Sequence, residues 1–425
     1  MWPNLLSAKL RRIQFLKLLH RGFTVLNSAS AILRKIGKRV FWLIKAKKIF
    51  KPPKKAKILV VDESTAHLLE PLFNGEPFEV FHIRDERFNF SPIMLCRYLL
   101  CWAREKTTDC LSLIVYIDQV SPDIIITYID NFRAFQQVDL RNKDKRRKFI
   151  AIANGTRNFS VSDTQLKKMS PLPKDIFHSN LFCLGQCCAD EYTKHGARVL
   201  NINPVGSLQD SYFRDISRRK QNKSIFDICL VVTPFYDAPY DTIEFGDGRQ
   251  SYELFLGYLK MFSERNNVKV SAASKLLENT RDSEIELKWL QRFLGTHFTY
   301  FPLKNQVPSS TYFVTDEAKV VIGCASTMLI ECFGRRKKVL QVNYSDKPYH
   351  DFPFEGIWLL KESGFPTFEK RLLDILSMDQ LEYNKQCKHY PEYLIGHDDS
   401  KPAFVAISEL IQQHIKKQDE EKTMQ

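Results

Sequence analysis

Short, uninterrupted apolar runs recur along this chain in two series. The first comprises "KILVVDE" (57–63), "FEVFHI" (78–83), "DIIITYI" (123–129), "KFIAIAN" (148–154) and "NLFCLG" (180–185). Their apolar character is continuous rather than alternating, so both faces of each strand are covered, as in a parallel sheet of βαβ units. Longer amphipathic segments such as Pro92 to Arg104 lie between them. After "VLNINPVGS" (199–207) and the polar "SRRKQNKS" (217–224) the pattern restarts. "DICLVVTPF" (227–235), "VKVSAAS" (268–274), "THFTYFP" (296–302), "KVVIG" (319–323) and "KVLQVNY" (338–344) form the second series. Helices are expected at about 250–265, 283–294, 310–317 and 326–335, with a last one near Ala403 to Lys416. At 425 residues the chain exceeds one ordinary core. The expected fold class is α/β: two Rossmann-like domains facing across a cleft, residues 57–206 and 207–398. A basic arm and linker (1–56) precede them, and a C-terminal helix and polar tail (399–425) follow. In open α/β sheets ligands bind beyond the carboxyl ends of the strands, which places the site in the cleft.

The net charge of +14 is concentrated at one end. From Met1 to Lys57 there are 16 Lys or Arg and no acidic residue. The chain's 63 basic residues, less those 16, leave 47 against 49 acidic ones, so the globular part is nearly neutral. Nucleic-acid binders spread cations over a folded face, and none is expected as a partner here. Within the arm, "LLSAKLRRIQFLKLLHRGF" and "ILRKIGKRVFWLIKAKKIFK" set apolar residues mostly three and four apart with cations between them. Such segments suit amphipathic helices lying on an anionic membrane surface. A solvated tail or a hairpin packed on the same chain is the competing reading. No stretch has the length to span a bilayer. The ten cysteines show no framework spacing and several sit inside apolar runs, which favours a reducing, cytosolic compartment. Cys183, Cys187 and Cys188 lack a second ligand pair, so no metal site is expected.

"VVIGCASTMLIECFGRRKKVLQV" (320–342) joins two strand runs through a block of small residues. A strand ending at Gly323 can turn tightly, and Ser326 or Thr327 can cap the next helix. The exposed helix start offers N–H groups and partial positive charge to a phosphate or diphosphate. Glu331, one turn in, has the reach for ribose or sugar hydroxyls, whereas the "GRRKK" cations (334–338) complement the far pole of the helix. Plain capping explains the same residues equally well.

This segment resembles the donor-binding segment of GT-B glycosyltransferases. With "PDIIITYIDNF", "KFIAIANGTR" and "LFCLGQCCADEYTKHGARVLNINPVGSLQDSYF", the chain resembles bacterial surface carbohydrate biosynthesis proteins. These are similar in outline to capsule-polysaccharide and glycerophosphate transferases, and the likeness runs from about Lys57 to Asn343. The resemblance implies a GT-B fold, a C-terminal donor domain and an N-terminal acceptor domain. It implies no cofactor beyond a nucleotide-activated sugar as substrate, and transfer without an obligatory metal; the chain contains no D-x-D. Glycerophosphate transferases carry His-Gly where this chain has Asn154 and Gly155, so their histidine chemistry does not carry over.

Inverting transfer needs a base for the acceptor and charge stabilisation for the leaving diphosphate. Glu63 or Asp62 in "VVDESTAH", which also holds His67, is the expected base; helix capping by Asp62 or Ser64 is the alternative. Asp130 ends a neighbouring strand in the same way. Arg157 in "NGTR" and Lys275 in "SAASK" are candidate cations for the leaving group, and Thr233 in "TPFYD" a donor contact. The acceptor would be lipid-linked or a polysaccharide, with the protein cytoplasmic and peripheral on the inner face of the membrane. A nucleotide-sugar epimerase of the same fold and a non-catalytic membrane- or nucleic-acid-binding scaffold are the alternatives.

Overall fold

The computed structural model describes residues 47–83, 87–89, 91–105, 110–144, 146–156, 173–217, 225–235, 248–304, 310–345, 351–396 and 400–423. Arg157 and arm residues 1–46 lie outside the described residues.

The first domain runs β1 (Ile58–Val61), β2 (Phe78–Phe81), α1 (Pro92–Glu105), α2 (Leu111–Val120), β3 (Ile124–Thr127), α3 (Arg133–Arg141), β4 (Lys148–Ile152), β5 (Phe177–Cys183), α4 (Gln186–Lys194) and β6 (Arg198–Pro204). Its six strands are parallel in the order β2-β1-β3-β4-β5-β6. Successive side chains leave a strand on opposite faces. Leu59, Val61, Ile125, Phe149 and Ala151 pack under helices on one side. Ile58, Val60, Ile124, Ile126, Ile150 and Ile152 fill the other. Two covered faces account for the unbroken apolar runs.

Helix α5 (Leu208–Ser217) leads to the second domain: β7 (Phe226–Val231), α6 (Gly248–Asn266), β8 (Val270–Leu277), α7 (Arg281–Leu294), β9 (Phe298–Leu303), α8 (Ser310–Asp316), β10 (Ala318–Gly323), α9 (Thr327–Gly334), β11 (Lys338–Val342) and β12 (Leu359–Leu360). These strands are also parallel, in the order β9-β8-β7-β10-β11-β12. Three helices, α10 (Phe365–Ser377), α11 (Gln380–Cys387) and α12 (Tyr390–Leu394), finish the domain. The last helix, α13 (Ala403–Thr423), then crosses back. Its Ile407, Ile411 and Ile415, four residues apart on one stripe, cover the isoleucine face of the first sheet. The two domains are thus tied by two chain crossings, before β7 and before α13. No described helix is long and apolar enough to cross a membrane.

Candidate active site

Each sheet reverses its strand order once, between β1 and β3 in the first domain and between β7 and β10 in the second. A crevice opens at the carboxyl ends beside such a reversal. In the second domain its floor is Gly323. A Cβ there would lie 3.0 Å from the Val231 carbonyl and 3.0 Å from the Leu329 side chain, so only glycine passes without displacement. The loop that follows is pinned from behind. Gln341 donates to the Cys324 carbonyl at 2.7 Å and accepts from the Phe352 N–H at 2.7 Å. From the other side of the reversal the Thr233 hydroxyl donates to the Ala325 carbonyl at 3.4 Å. Ser326 caps α9 by accepting from the Met328 N–H at 3.3 Å. Ala325, Ser326 and Thr327 keep partial exposure while Gly323 and Cys324 are buried. Lys275, near the end of β8, is exposed.

Glu331 points away from this opening. It is 2% exposed, and it accepts from the Ser207 hydroxyl at 2.5 Å and the Tyr312 hydroxyl at 2.7 Å. Burial, and next the nearby Asp210 carboxylate, push its pKa up to about 7, while the two hydroxyls and Arg335 pull it down. Both oxygens therefore serve the protein, and the expected reach toward sugar hydroxyls is not what this geometry provides. Arg335 is equally internal. It pairs with the fully buried Asp210, lies 3.4 Å from Asp316, and sits over the Phe213 and Tyr312 rings at 5.1 and 5.5 Å. A cation expected at the exposed helix pole is instead the core of a seam between α5, α8 and α9.

In the first domain Asp62 follows β1 with φ of 104°, a conformation sparsely populated by residues other than glycine. Its buried carboxylate accepts from the Ser64 N–H at 3.2 Å and the Ser64 hydroxyl at 2.6 Å. That is the capping alternative. Asp130, fully buried, accepts from the Tyr192 hydroxyl. His67 is exposed on the short turn beyond. Glu63 alone of these carboxylates stands half-buried at the surface, its Oε2 2.9 Å from His82 Nδ1. The register explains the meeting: Val61 pairs with Phe81, so the residues after β1 and β2 emerge side by side. A carboxylate that fixes an imidazole is a suitable acid–base arrangement.

The two walls approach at Gly155. A Cβ at this residue, just past β4, would stand 2.9 Å from the Thr327 hydroxyl. The Asn154–Gly155 loop thus abuts the first turn of α9. Strands are spaced ~4.8 Å, so the end of β1 lies two strands, roughly 10 Å, from that of β4. The structure thus sets Thr233, Ser326, Thr327 and Gly155 close together, with Glu63 and His82 along the same carboxyl edge. It turns Asp62, Asp130 and Glu331 into the protein. His82, Ser207, Asp210 and Tyr312 were not expected from sequence, and Arg335 only as one of the "GRRKK" cations at the helix pole; of these only His82, near the end of an apolar run, carried a local signal toward the site. Among the described residues no group of three or more His, Cys, Asp or Glu gathers in a way that would hold a metal.

The profile of a family described as "putative O-antigen biosynthesis protein" matches residues 150–366. No curated protein matches the chain. Among solved structures, the UDP-GlcNAc 2-epimerase of Methanocaldococcus jannaschii in complex with UDP-GlcNAc and UDP is 10% identical, with a TM-score of 0.50 over 84% of this chain and 99% of that one. The S. aureus MnaA–UDP structure is 12% identical, with a TM-score of 0.50 over 85% and 96%. The wall teichoic acid polymerase TagF is 11% identical, with a TM-score of 0.48 over 93% and 97%. The likeness is one of fold, two Rossmann-like domains of GT-B type.

Proposed function

The chain belongs to this O-antigen biosynthesis protein family, and on that premise we propose that it is a transferase using a nucleotide-activated donor. It moves a sugar, or a polyol phosphate, to a lipid-linked or polysaccharide acceptor. The donor diphosphate lies at the open first turn of α9, against Ser326, Thr327 and the backbone at the positive pole of the helix. Glu63, oriented by His82, takes the proton of an acceptor hydroxyl. The resulting oxygen attacks the anomeric carbon as the bond from that carbon to the diphosphate oxygen breaks. The leaving charge falls on the helix N-terminus, where N–H dipoles favour an anion. Arg157 is the cation proposed to join it. The basic arm holds the protein on the inner membrane face, where lipid-linked acceptors are carried.

One observation supports this reading most strongly: the Gly155 loop meets Thr327, so the acidic wall and the small-residue loop share one crevice. The test is thermal unfolding with UDP, CDP, GDP, CMP and their sugar conjugates, uridine nucleotides first because the fold's solved relatives are bound to them. Ligand binding stabilises the native state by mass action, and a shift of several degrees is expected for one base family. Thr327→Glu should abolish the shift, since it places a negative charge where the diphosphate sits while suiting the helix start. A cooperative transition that no nucleotide moves would leave the scaffold reading in place. Conversion of a nucleotide sugar without any acceptor would replace transfer by epimerisation.

A further inference from the structure

We infer that the outward face of α1 is a membrane-docking surface for an anionic bilayer. This goes beyond the transferase reading, because it assigns a lipid contact to the folded first domain rather than to the arm. Helix α1 buries Met94 and packs Tyr98 and Cys101 on the first core, an inward stripe at positions i, i+4 and i+7. The outward side of its described part is largely apolar too, with the exposed Arg97 at its edge. Ile93 is 50% exposed, Leu95 39%, Leu99 68% and Leu100 63%, and Cys96 is also exposed. Contiguous exposed apolar patches mark interaction sites.

The surroundings name the partner. Lys47–Ile49 pairs in parallel with Arg87–Asn89, and Asn89 donates to the Lys51 carbonyl at 2.8 Å. Ser91, which accepts the Met94 N–H at the start of α1, is itself held by Asn89. The chain leaving the arm is thereby fastened beside the start of α1. It brings exposed Lys47, Lys48, Lys51, Lys54 and Lys55, and Phe50 at 69% exposure. Apolar side chains flanked by cations match the acyl boundary and anionic headgroups of a bilayer. The two other occupants fit less well. Arm residues 1–46 carry only basic charges, so folding them over α1 sets cations on Arg97 and the lysines. A two-fold copy would face the same cations with themselves.

The experiment sediments the full chain with vesicles of phosphatidylglycerol and phosphatidylcholine, against phosphatidylcholine alone. Binding to the anionic vesicles is expected, weakened by salt. Leu99→Asp/Leu100→Asp, with the arm intact, should lower partitioning roughly tenfold or more. Its melting temperature and nucleotide response should not change, because both residues are exposed. A fluorophore on Cys96, with Cys101 and Cys187 changed to serine, should shift to the blue on anionic vesicles. Unaltered sedimentation of the double variant, or a dye blind to vesicles, overturns the proposal in favour of a face covered by the arm. A dimer that the double variant dissolves overturns it in favour of a second copy. None of these outcomes touches the transferase reading, which nucleotide binding tests separately.

Discussion

At the reversal in the first domain the chain sets carboxylates and an imidazole: Asp62, Glu63 and Asp130, with His82 alongside. At the reversal in the second it sets Gly323, Cys324, Ala325, Ser326 and Thr327, with no charged side chain in the loop. Both walls arise from the same parallel topology. They differ in what that topology is asked to present. The second wall works through its backbone, which small residues leave uncovered, so its potential is that of a helix N-terminus. The first works through side chains, and folding withdraws most of them: Asp62 into its own cap, Asp130 behind Tyr192. Glu63 is left as the accessible carboxylate. On the proposed transferase reading, the difference gives proton transfer to one wall and anion binding to the other.

The largest expected effect separates these roles. Glu63→Gln should lower turnover about 10²–10⁴-fold, the usual worth of a positioned general base, with the nucleotide-induced thermal shift intact. Loss of that shift with Glu63→Gln would merge the two walls into one ligand site. Next comes the seam between them. Arg335→Met leaves the buried Asp210 charge without its cation and should cost about 3–5 kcal/mol in urea denaturation. Arg336→Met, one residue on, removes a surface pair with Glu392 and a hydrogen bond to the Lys388 carbonyl and should cost roughly 1–2 kcal/mol. Equal costs would mean that water reaches Asp210.

Apart from β6 and β12 the strands of both domains were legible because their runs are apolar, and the expected spans agree with the observed ones to within a few residues. β6 (Arg198–Pro204), an edge strand with largely exposed side chains, lies in the stretch read as the crossing between domains. β5 begins earlier than expected, at Phe177, because the buried His178 ring lies near Phe135 and Tyr192 and so breaks no core. The two-residue β12 is too short to have a pattern. The periodicity of Ile407, Ile411 and Ile415 announces a buried stripe but not which sheet it covers. The site was read less fully for a related reason. Capping of α9 by Ser326 is local and follows from residue type. The partners of Glu331 do not, since Ser207 precedes it by 124 residues. Nor could Glu63 and His82 be paired before β1 and β2 were known to be neighbours. Charged residues drawn into a seam look, in sequence, like those on a surface.

Glu331 gives that seam a pH signature. Its carboxyl titrates near 7 in the native state against an ordinary 4.5, so between those values the folded protein holds a proton that the unfolded chain has released. Stability therefore falls as pH rises through the window, by roughly 1–3 kcal/mol. Asp139, raised to about 6 chiefly by burial, acts with the same sign. The difference between wild type and Glu331→Gln, measured by denaturation from about pH 4.5 to 7, isolates the Glu331 part. A variant with the wild-type slope would place the proton elsewhere.

The smallest effect bears on the wall proposed to bind the diphosphate. Ser326 accepts one N–H at the start of α9, and its loss in Ser326→Ala should cost about 1 kcal/mol, as for other helix caps. The same substitution frees the Met328 N–H, so a bound diphosphate can take the place of the lost hydroxyl. The nucleotide-induced shift should then be preserved or larger in Ser326→Ala while the ligand-free melting temperature falls. If both fall together, the hydroxyl itself contacts the nucleotide. If the melting temperature falls and the wild-type protein shows no shift either, the small-residue loop is a cap and nothing more, and the chemical contrast between the walls loses its second half.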